Sequence, residues 1–421
     1  MHKNSSFVFF SIISVFLLFI GGCKKVGIAP EWEVTHNPNA ASSHFLRGLY
    51  TTNDNHLVAL TSNFGVASIT KLDLNGLVLW DRPVELNIPQ AEVVSSQFLY
   101  ESRQDSNGAI YAMGIYGYKP LGSPEGTVKN GSFIVKIGDD GEFVWQRFFD
   151  NESDANNIGL VRDVLAVNDL LYISGAATLV LDSDGNTVNE FSHPENFSGS
   201  SIAVDSEGAI YLNGPQAMFK LNANGEQEWL QWHYNPDGPA RYLVPSKTIL
   251  TADGDLYMMN QLNSRSNRTK VVKLDLEDGS TQWERMLSGY LNGDGGTGIP
   301  DMKLSDDGFL YVLNSHQQGR LLYKLRTDNG FRVWSKGSAD DIATQLILDG
   351  DGVYIYGTGI GAKYDTNGNL LFRTTAIPAS EGLDGMTVNE SGMFVASSRY
   401  QSSGTPLYVA KYDKNSIQTE F

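Results

Sequence analysis

The side chains able to do chemistry are numerous but scattered. Seven histidines stand at positions 2, 36, 44, 56, 193, 233 and 316. None falls in an H-E-x-x-H motif or at an i, i+4 spacing, so a zinc-hydrolase site finds no template. Cys23 is the sole cysteine, which excludes disulfides and thiolate metal sets. Neither a G-x-S-x-G nucleophile elbow nor a phosphate-cradling G-x-x-x-x-G-K-[ST] loop is present. Three stretches carry oxygen donors at calcium-loop spacing: DSDGN (182–186), NGDGG (292–296) and DGDG (349–352). None completes the D-x-[DN]-x-[DN]-G-x5-E run. Two coincide with expected hairpin turns, so turn chemistry is the better reading and no metal is expected. Carboxylates are abundant, 48 against 31 Lys and Arg, and the net charge is -17. Acid pairs for glycoside hydrolysis are therefore available. Nucleic-acid binding is excluded, because no basic cluster follows residue 25.

A scaffold has to position any of these groups, and it is written as a repeat. A Gly followed four residues later by an aromatic occurs at Gly76/Trp80, Gly141/Trp145, Gly225/Trp229, Gly279/Trp283, Gly330/Trp334 and Gly368/Phe372. Gly185/Asn189 is a degenerate copy. A Lys stands nine or ten residues before each aromatic, at 71, 136, 220, 273, 324 and 363, and Lys411 begins a truncated last copy. Upstream of each lies a polar turn and an alternating strand centred on an aromatic, as in DSNGAIYAMG (Tyr111) and DSEGAIYLNG (Tyr211). Weaker copies centre on Val58, Tyr172 and Phe394. Eight units result, with a period of about 48 residues.

Each unit reads as four short strands, A to D, separated by turn residues. In the second unit these are VVSSQFLYESR, AIYAMGIYG, SFIVKIG and EFVWQRFF. Strands B, C and D are apolar on both faces, so each sheet must be covered on both sides. No helical period follows residue 25 that could supply the cover. Radial packing of sheets against one another meets both demands. The expected fold is all-β, a single β-propeller of eight four-stranded blades, with seven blades as the alternative. In KLDLNGLVLW (71–80), Asp73 to Gly76 forms the C–D turn, with an Asx bond at Asp73 and φ > 0 at Gly76. A tight turn there sets Trp80 opposite Ile69, with Lys71 diagonal and its ammonium reaching solvent. A string repeated in almost every unit is scaffold, whereas a catalytic set occurs once.

The pattern D-x-x-G-x-x-Y-x-x-G, then K-x-D-x-x-G-x-x-x-W, resembles the bacterial quinoprotein-like (PQQ-like) β-propeller repeats. That group includes quinone-dependent dehydrogenases and the propeller lipoprotein of the outer-membrane barrel-assembly machinery. The resemblance spans about residues 45–421 and implies the fold. Its alcohol dehydrogenases carry adjacent cysteines above the cofactor, which are impossible here. Outside the strand D positions and the N-terminal strand, Trp232 is the only tryptophan left to floor a quinone. No cofactor is therefore expected.

At the N-terminus, Lys3 precedes the apolar run FVFFSIISVFLLFIGG, which ends at Cys23. This is the order of a secretory signal, and IGGC resembles a bacterial lipobox. The expected organisation is a signal peptide at 1–22, a lipid-anchored segment at 23–44 attached through Cys23, and the propeller at 45–421. Lys24, where an Asp would favour the inner membrane, resembles the outer-membrane sorting pattern. Residues 31–36, around Trp32, are expected to add to or replace the outer strand of the last blade, because SIQTEF is a poor fourth strand.

The A–B and C–D turns are short and repetitive, whereas loops on the opposite face are long and irregular. Recognition usually sits on such loops. Tyr116, Tyr118, His233, Tyr234, Arg241, Tyr242 and Tyr290 are the candidate binding residues there. The reading that follows is a monomeric, membrane-tethered interaction module for an envelope protein or surface glycan, with no catalytic residues assigned. The alternative is a polysaccharide hydrolase or lyase with acids in the central channel.

Overall fold

The computed structural model describes residues 30–36, 45–63, 66–89, 91–150, 159–193, 197, 199–215, 217–232, 243–262, 268–288, 301–316, 319–338, 343, 345–350, 352–357, 360–374, 385–398 and 407–414. Cys23 lies outside them. Among the described residues there is no helix, and hence none long and apolar enough to cross a membrane.

The strands fall into eight antiparallel four-stranded sheets. The first strand, β1 (Trp32–His36), joins the last sheet. Blade 1 is β2 (Phe45–Thr51), β3 (Leu57–Asn63), β4 (Val66–Leu72) and β5 (Val78–Val84). Blade 2 is β6 (Ala91–Gln104), β7 (Ile110–Pro120), β8 (Lys129–Ile137) and β9 (Phe143–Asp150). Blade 3 is β10 (Asp163–Val167), β11 (Leu170–Ser174), β12 (Ala177–Leu181) and β13 (Thr187–Ser192). Blade 4 is β14 (Ser201–Val204), β15 (Ile210–Asn213), β16 (Ala217–Leu221) and β17 (Gln227–Trp232). Blade 5 is β18 (Leu243–Leu250), β19 (Leu256–Leu262), β20 (Arg268–Leu274) and β21 (Thr281–Ser288). Blade 6 is β22 (Asp301–Leu304), β23 (Phe309–His316), β24 (Gly319–Arg326) and β25 (Arg332–Ser338). Blade 7 is β26 (Gln345–Asp349), β27 (Gly352–Gly357), β28 (Ile360–Asp365) and β29 (Leu370–Thr374). Blade 8 is β30 (Gly385–Asn389), β31 (Gly392–Ser398), β32 (Leu407–Tyr412) and β1.

The core is divided in the way that radial packing requires. Eight apolar clusters are present, each shared by two neighbouring blades. The last joins Leu407 and Val409 of blade 8 to Leu49 and Ala59 of blade 1, with Trp32 and Val34 packed beside them. The ring therefore closes, and the chain is an eight-bladed β-propeller. Closure uses the N-terminal strand as expected. β1 pairs antiparallel with β32, setting Trp32 opposite Lys411 and Val34 opposite Val409. Neighbouring A strands touch all the way round and line the axial channel.

The repeated row differs from the expected register. Trp80 stands directly opposite Lys71, not Ile69. Asp73 N–H donates to Leu77 O at 2.9 Å and Gly76 N–H to Asp73 O at 3.1 Å, so the hairpin loop is one residue longer than a two-residue turn. A bulge at Lys71/Leu72 adds a second residue. The two together shift the pairing by two positions. The same bulge follows the Lys in blades 2, 4, 5, 6 and 7.

The lysines are also deeper than expected. Lys71 is 2% exposed, and its ammonium bonds Asp54 at 2.9 Å and Asp139 of the next blade. Burial alone would raise the Asp54 carboxyl, but hydrogen bonds from Thr52, Lys71 and His56 hold it well below the usual carboxylate range. In blades 2, 4, 5, 6 and 7 the ammonium lies 5.0–5.6 Å from the ring of the B-strand tyrosine. Lys136, Lys220 and Lys324 donate to a turn carbonyl of the following blade.

The strand D aromatic completes the link between blades. Trp32, Trp80, Trp145, Trp229, Trp283 and Trp334 each donate the indole N–H to a C–D turn carbonyl of the next blade, at 2.9–3.0 Å. Each ring also covers the glycine of that turn, as Trp80 covers Gly141 and Trp229 covers Gly279. In blade 3, where the motif reads Asn189, Phe191 takes the role and covers Gly225.

Candidate functional site

The seven binding residues expected on the irregular loops divide into two groups. His233, Tyr234, Arg241, Tyr242 and Tyr290 lie outside the described residues. Tyr116 and Tyr118 are described, and both are buried at 2% exposure. They are therefore not displayed for binding, and their assignment to an exposed loop is corrected. The physical reason is that β7 runs on to Pro120, pairing with β6 as far as Ala91 and with β8 as far as Lys129. Tyr116 packs on Tyr118, Phe133 and Phe148 with ring centroids 5.6, 6.4 and 5.7 Å apart. These tyrosines support the long β6–β8 extension from within.

That extension changes what the face presents. β6 and β7 span 14 and 11 residues, whereas A and B strands elsewhere span four to eight. The extension carries the B–C connection 121–128, on the same face as the D–A connection 85–90. Its exposed side chains include four apolar ones, Ile115 at 42%, Val93 and Val128 at 56% and Leu121 at 73%, interspersed with the exposed Glu92, Glu125 and Asn130. Other exposed apolar residues lie along or next to the strand D edges of several blades, some in close pairs: Leu77 and Leu79, Phe143 and Val144, and Phe331 and Val333. Beside the extension run two adjoining grooves of about 450 and 470 Å³ that share Asn87 and Pro89. One is walled by Leu86, Ile88, Val93 and Val94, the other by Phe143, Val144, Trp145 and Phe148. The intervening connection is held by Gln146, whose amide donates to Glu85 O at 2.7 Å and whose carbonyl accepts from Asn87 N–H at 3.2 Å.

Sequence reading assigned nothing specific in the axial channel, where the A strands bring ionisable groups together. Glu101, Asp163, Lys247 and Asp301 stand at equivalent positions, each opposite the residue two beyond the B-strand tyrosine. Arg103 bridges Glu101 and Asp163, reaching the latter at 3.3 Å. Lys247 lies 3.7 Å from Asp301. Asp163 and Asp301 repeat one another: each accepts a backbone N–H from the next blade's A strand, Ile202 at 3.1 Å and Leu346 at 3.0 Å. Both carboxylates are therefore tied to the framework.

Burial pushes the Asp163 carboxyl up to about 6, against the opposing pull of Arg103. The folded chain then holds a proton that the unfolded chain releases between about pH 4 and pH 6. The stability contributed by this group is full below about pH 4 and is lost as pH rises through 6. Asp163→Asn removes the linkage. The stability of the parent minus that of the variant should fall by about 2 kcal/mol from pH 4 to pH 7 in urea titrations. A difference independent of pH would show that Asp163 titrates normally.

Metal-ligand chemistry gains no support at the calcium-like turns. Asp182 Oδ1 accepts the N–H groups of Asp184 and Asn186 at 2.9 and 2.8 Å, and Oδ2 accepts the Asn186 amide at 3.1 Å. Asp349 pairs with Lys414 at 2.6 Å. Residues 292–296 lie outside the described residues. Among the described residues no cluster of three or more His, Cys, Asp or Glu could hold a metal ion.

Comparison with solved structures shows the same architecture at low sequence identity. The Dos1 propeller superposes with a TM-score of 0.60 at 10% identity, covering 93% of this chain and 97% of that one. The quinohemoprotein alcohol dehydrogenase ADHIIG of Pseudomonas putida HK5 gives 0.56 at 12% identity, covering 94% and 78%. The computationally designed Ika8 protein gives 0.56 at 12% identity, covering 88% and 98%. These likenesses establish the fold alone. No curated protein matches the chain. The family model described as outer membrane protein assembly factor BamB matches residues 130–364, more than half of the chain, with the Lys–Gly–Trp rows of blades 4 to 6 inside the match. This chain accordingly belongs to the BamB family of PQQ-like β-propellers.

Proposed function

We propose that this protein is a lipid-tethered propeller of the cell envelope, anchored through Cys23 in the outer membrane, that binds another envelope protein with the extended face of blade 2. The observation that carries the reading is the group of exposed apolar side chains on one raised extension: Val93, Ile115, Leu121 and Val128. Apolar side chains held in water on a rigid, internally braced element gain free energy when a partner covers them. The grooves on either side of Asn87 and Pro89 offer concave seats next to that ridge. The family's description, which names outer-membrane assembly, supports placement in the envelope. An apolar ridge suits a protein partner better than a glycan.

The channel favours a hydrolase or lyase less. Asp163 and Asp301 are each engaged by a cation and by a backbone N–H, which leaves them poorly placed to attack or to activate water.

The test is photocrosslinking in cells from position 121 or 128, followed by identification of the captured protein. Leu121→Glu and Val128→Glu should each reduce capture at least tenfold, roughly the effect of losing one well-buried apolar anchor, without changing the melting temperature. Capture of the same protein at unchanged yield by both variants would refute the assignment of this face.

A further inference from the structure

Among the described residues, the axial channel holds a cation, Lys303, that the rest of the network does not use. Lys303 is the third residue of β22, two beyond Asp301, and Met302 between them is fully buried. Strand alternation therefore puts Asp301 and Lys303 on one side and Met302 on the other. Lys303 pairs with Tyr311, as Arg103 pairs with Tyr111. The two cations thus occupy the same level of the propeller. Blades 2 and 6 are four apart in a ring of eight, so Arg103 and Lys303 stand on opposite walls of the channel.

Arg103 is engaged by Glu101 and Asp163, and Lys247 by Asp301. The Lys303 ammonium forms neither a hydrogen bond nor an ion pair with any described residue, although it lies within electrostatic reach of Asp301, Lys247, Arg103 and Glu101. Burial and the neighbouring cations work against its charge, so its proton affinity is lowered. A half-buried ammonium left without an acceptor loses hydration without compensation. Water reaches this level, because the side chains of Arg103, Glu101 and Lys247 remain 29%, 31% and 34% exposed. A small solute can use the same path.

We propose that the channel throat is a binding site for a small oxyanion, a phosphate or a carboxylate, seated on the Lys303 ammonium with Lys247 and Arg103 as neighbouring cations. The site is independent of the blade 2 face, and either can stand if the other fails. Charge-assisted hydrogen bonds from a desolvated ammonium are strong enough to hold such an anion against its hydration.

The experiment is a calorimetric titration of the purified chain with inorganic phosphate and, separately, with succinate, both at fixed ionic strength and pH 7. Saturable binding of at least one of the two is expected. Lys303→Met should weaken it at least tenfold, while Lys303→Arg, which keeps the charge, should retain it. The arm that saturates identifies the anion class. Lys247→Met serves as a second variant with the same expected direction should Lys303→Met fail to fold, as judged by its melting transition. Absence of saturable binding of both anions by the parent chain overturns the proposal. So does equal affinity in the parent and a folded Lys303→Met chain, or in the parent and Lys247→Met.

Discussion

Replacing Gly279 by alanine is expected to lower stability by about 3 kcal/mol, and replacing Gly254 in the same blade by only about 1 kcal/mol. Both glycines have left-handed backbones, with φ of +72° and +86°. An alanine therefore carries a similar backbone strain at either position. The surroundings differ. A Cβ at 254 would meet only Leu276 Cδ1, at 3.4 Å. A Cβ at 279 would stand 2.7 Å from Cδ2 and Cε3 of Trp229, the strand D aromatic of blade 4. The ring must then lift, weakening the indole bond to Leu276 O at 3.0 Å and the packing of the junction between blades 4 and 5. Urea denaturation of the two variants measures the difference. In a Trp229→Leu background the penalty at 279 should fall to that at 254. Equal losses for the two glycines in the parent chain would show that the aromatic-on-glycine contact does not hold the blades together.

This contact explains why so much of the fold was legible in the sequence. The Gly–aromatic pair repeats because seven of the eight junctions set a flat ring over a turn without a Cβ, the exception being the junction of blades 7 and 8, where blade 8 has no C–D hairpin. The Lys–Trp register was misjudged because bulges leave no signature in residue type: Lys71/Leu72 looks like ordinary alternation, yet pairing slips there. Blade 3 reads as degenerate at a spacing of four residues, where Asn189 stands in place of an aromatic. Phe191, six residues after Gly185, performs the same task. Tyr116 and Tyr118 fall in the stretch 115–132, which reads as a long irregular loop. The alternation Tyr111, Met113, Ile115, Gly117 already marked β7 as continuing. The channel was the least legible part. The A-strand positions opposite the B-strand tyrosine are Arg103, Leu165, Ala203, Ile249, Lys303 and Ile347; the four apolar ones pack into the clusters between blades, and two carry a cation instead. Only ring closure brings Arg103 and Lys303, from blades four apart, within electrostatic reach of one another.

Trp32→Ala should be the more damaging of two chemically identical deletions, Trp80→Ala being the other. Each removes a ring that covers a turn glycine, Gly76 or Gly141, and an indole bond of 3.0 Å to the next blade. Truncation of a packed tryptophan costs about 3 kcal/mol in either case. The two strands differ in how they are held. β5 is joined to β4 by a short hairpin, so it stays beside its partner when Trp80 is lost. β1 reaches blade 8 from the opposite end of the chain, and only non-covalent contacts hold it on β32. Besides the ladder these include Trp32 and Val34 in the junction cluster, the Lys411–Glu31 pair at 2.8 Å, the Tyr408 hydroxyl donating to Glu33 at 2.7 Å and the His36–Asp81 contact at 3.2 Å. Without Trp32 the strand can leave while the other seven blades remain folded, because it has no tight hairpin to raise its local concentration. Native-state hydrogen exchange should then show β1 and β32 opening well below the global unfolding free energy in Trp32→Ala. In Trp80→Ala, β5 should exchange only with its whole blade. If β1 kept the protection of the global core in Trp32→Ala, the backbone ladder, Val34 and the polar contacts would suffice for closure, and the tryptophan would be dispensable at this junction.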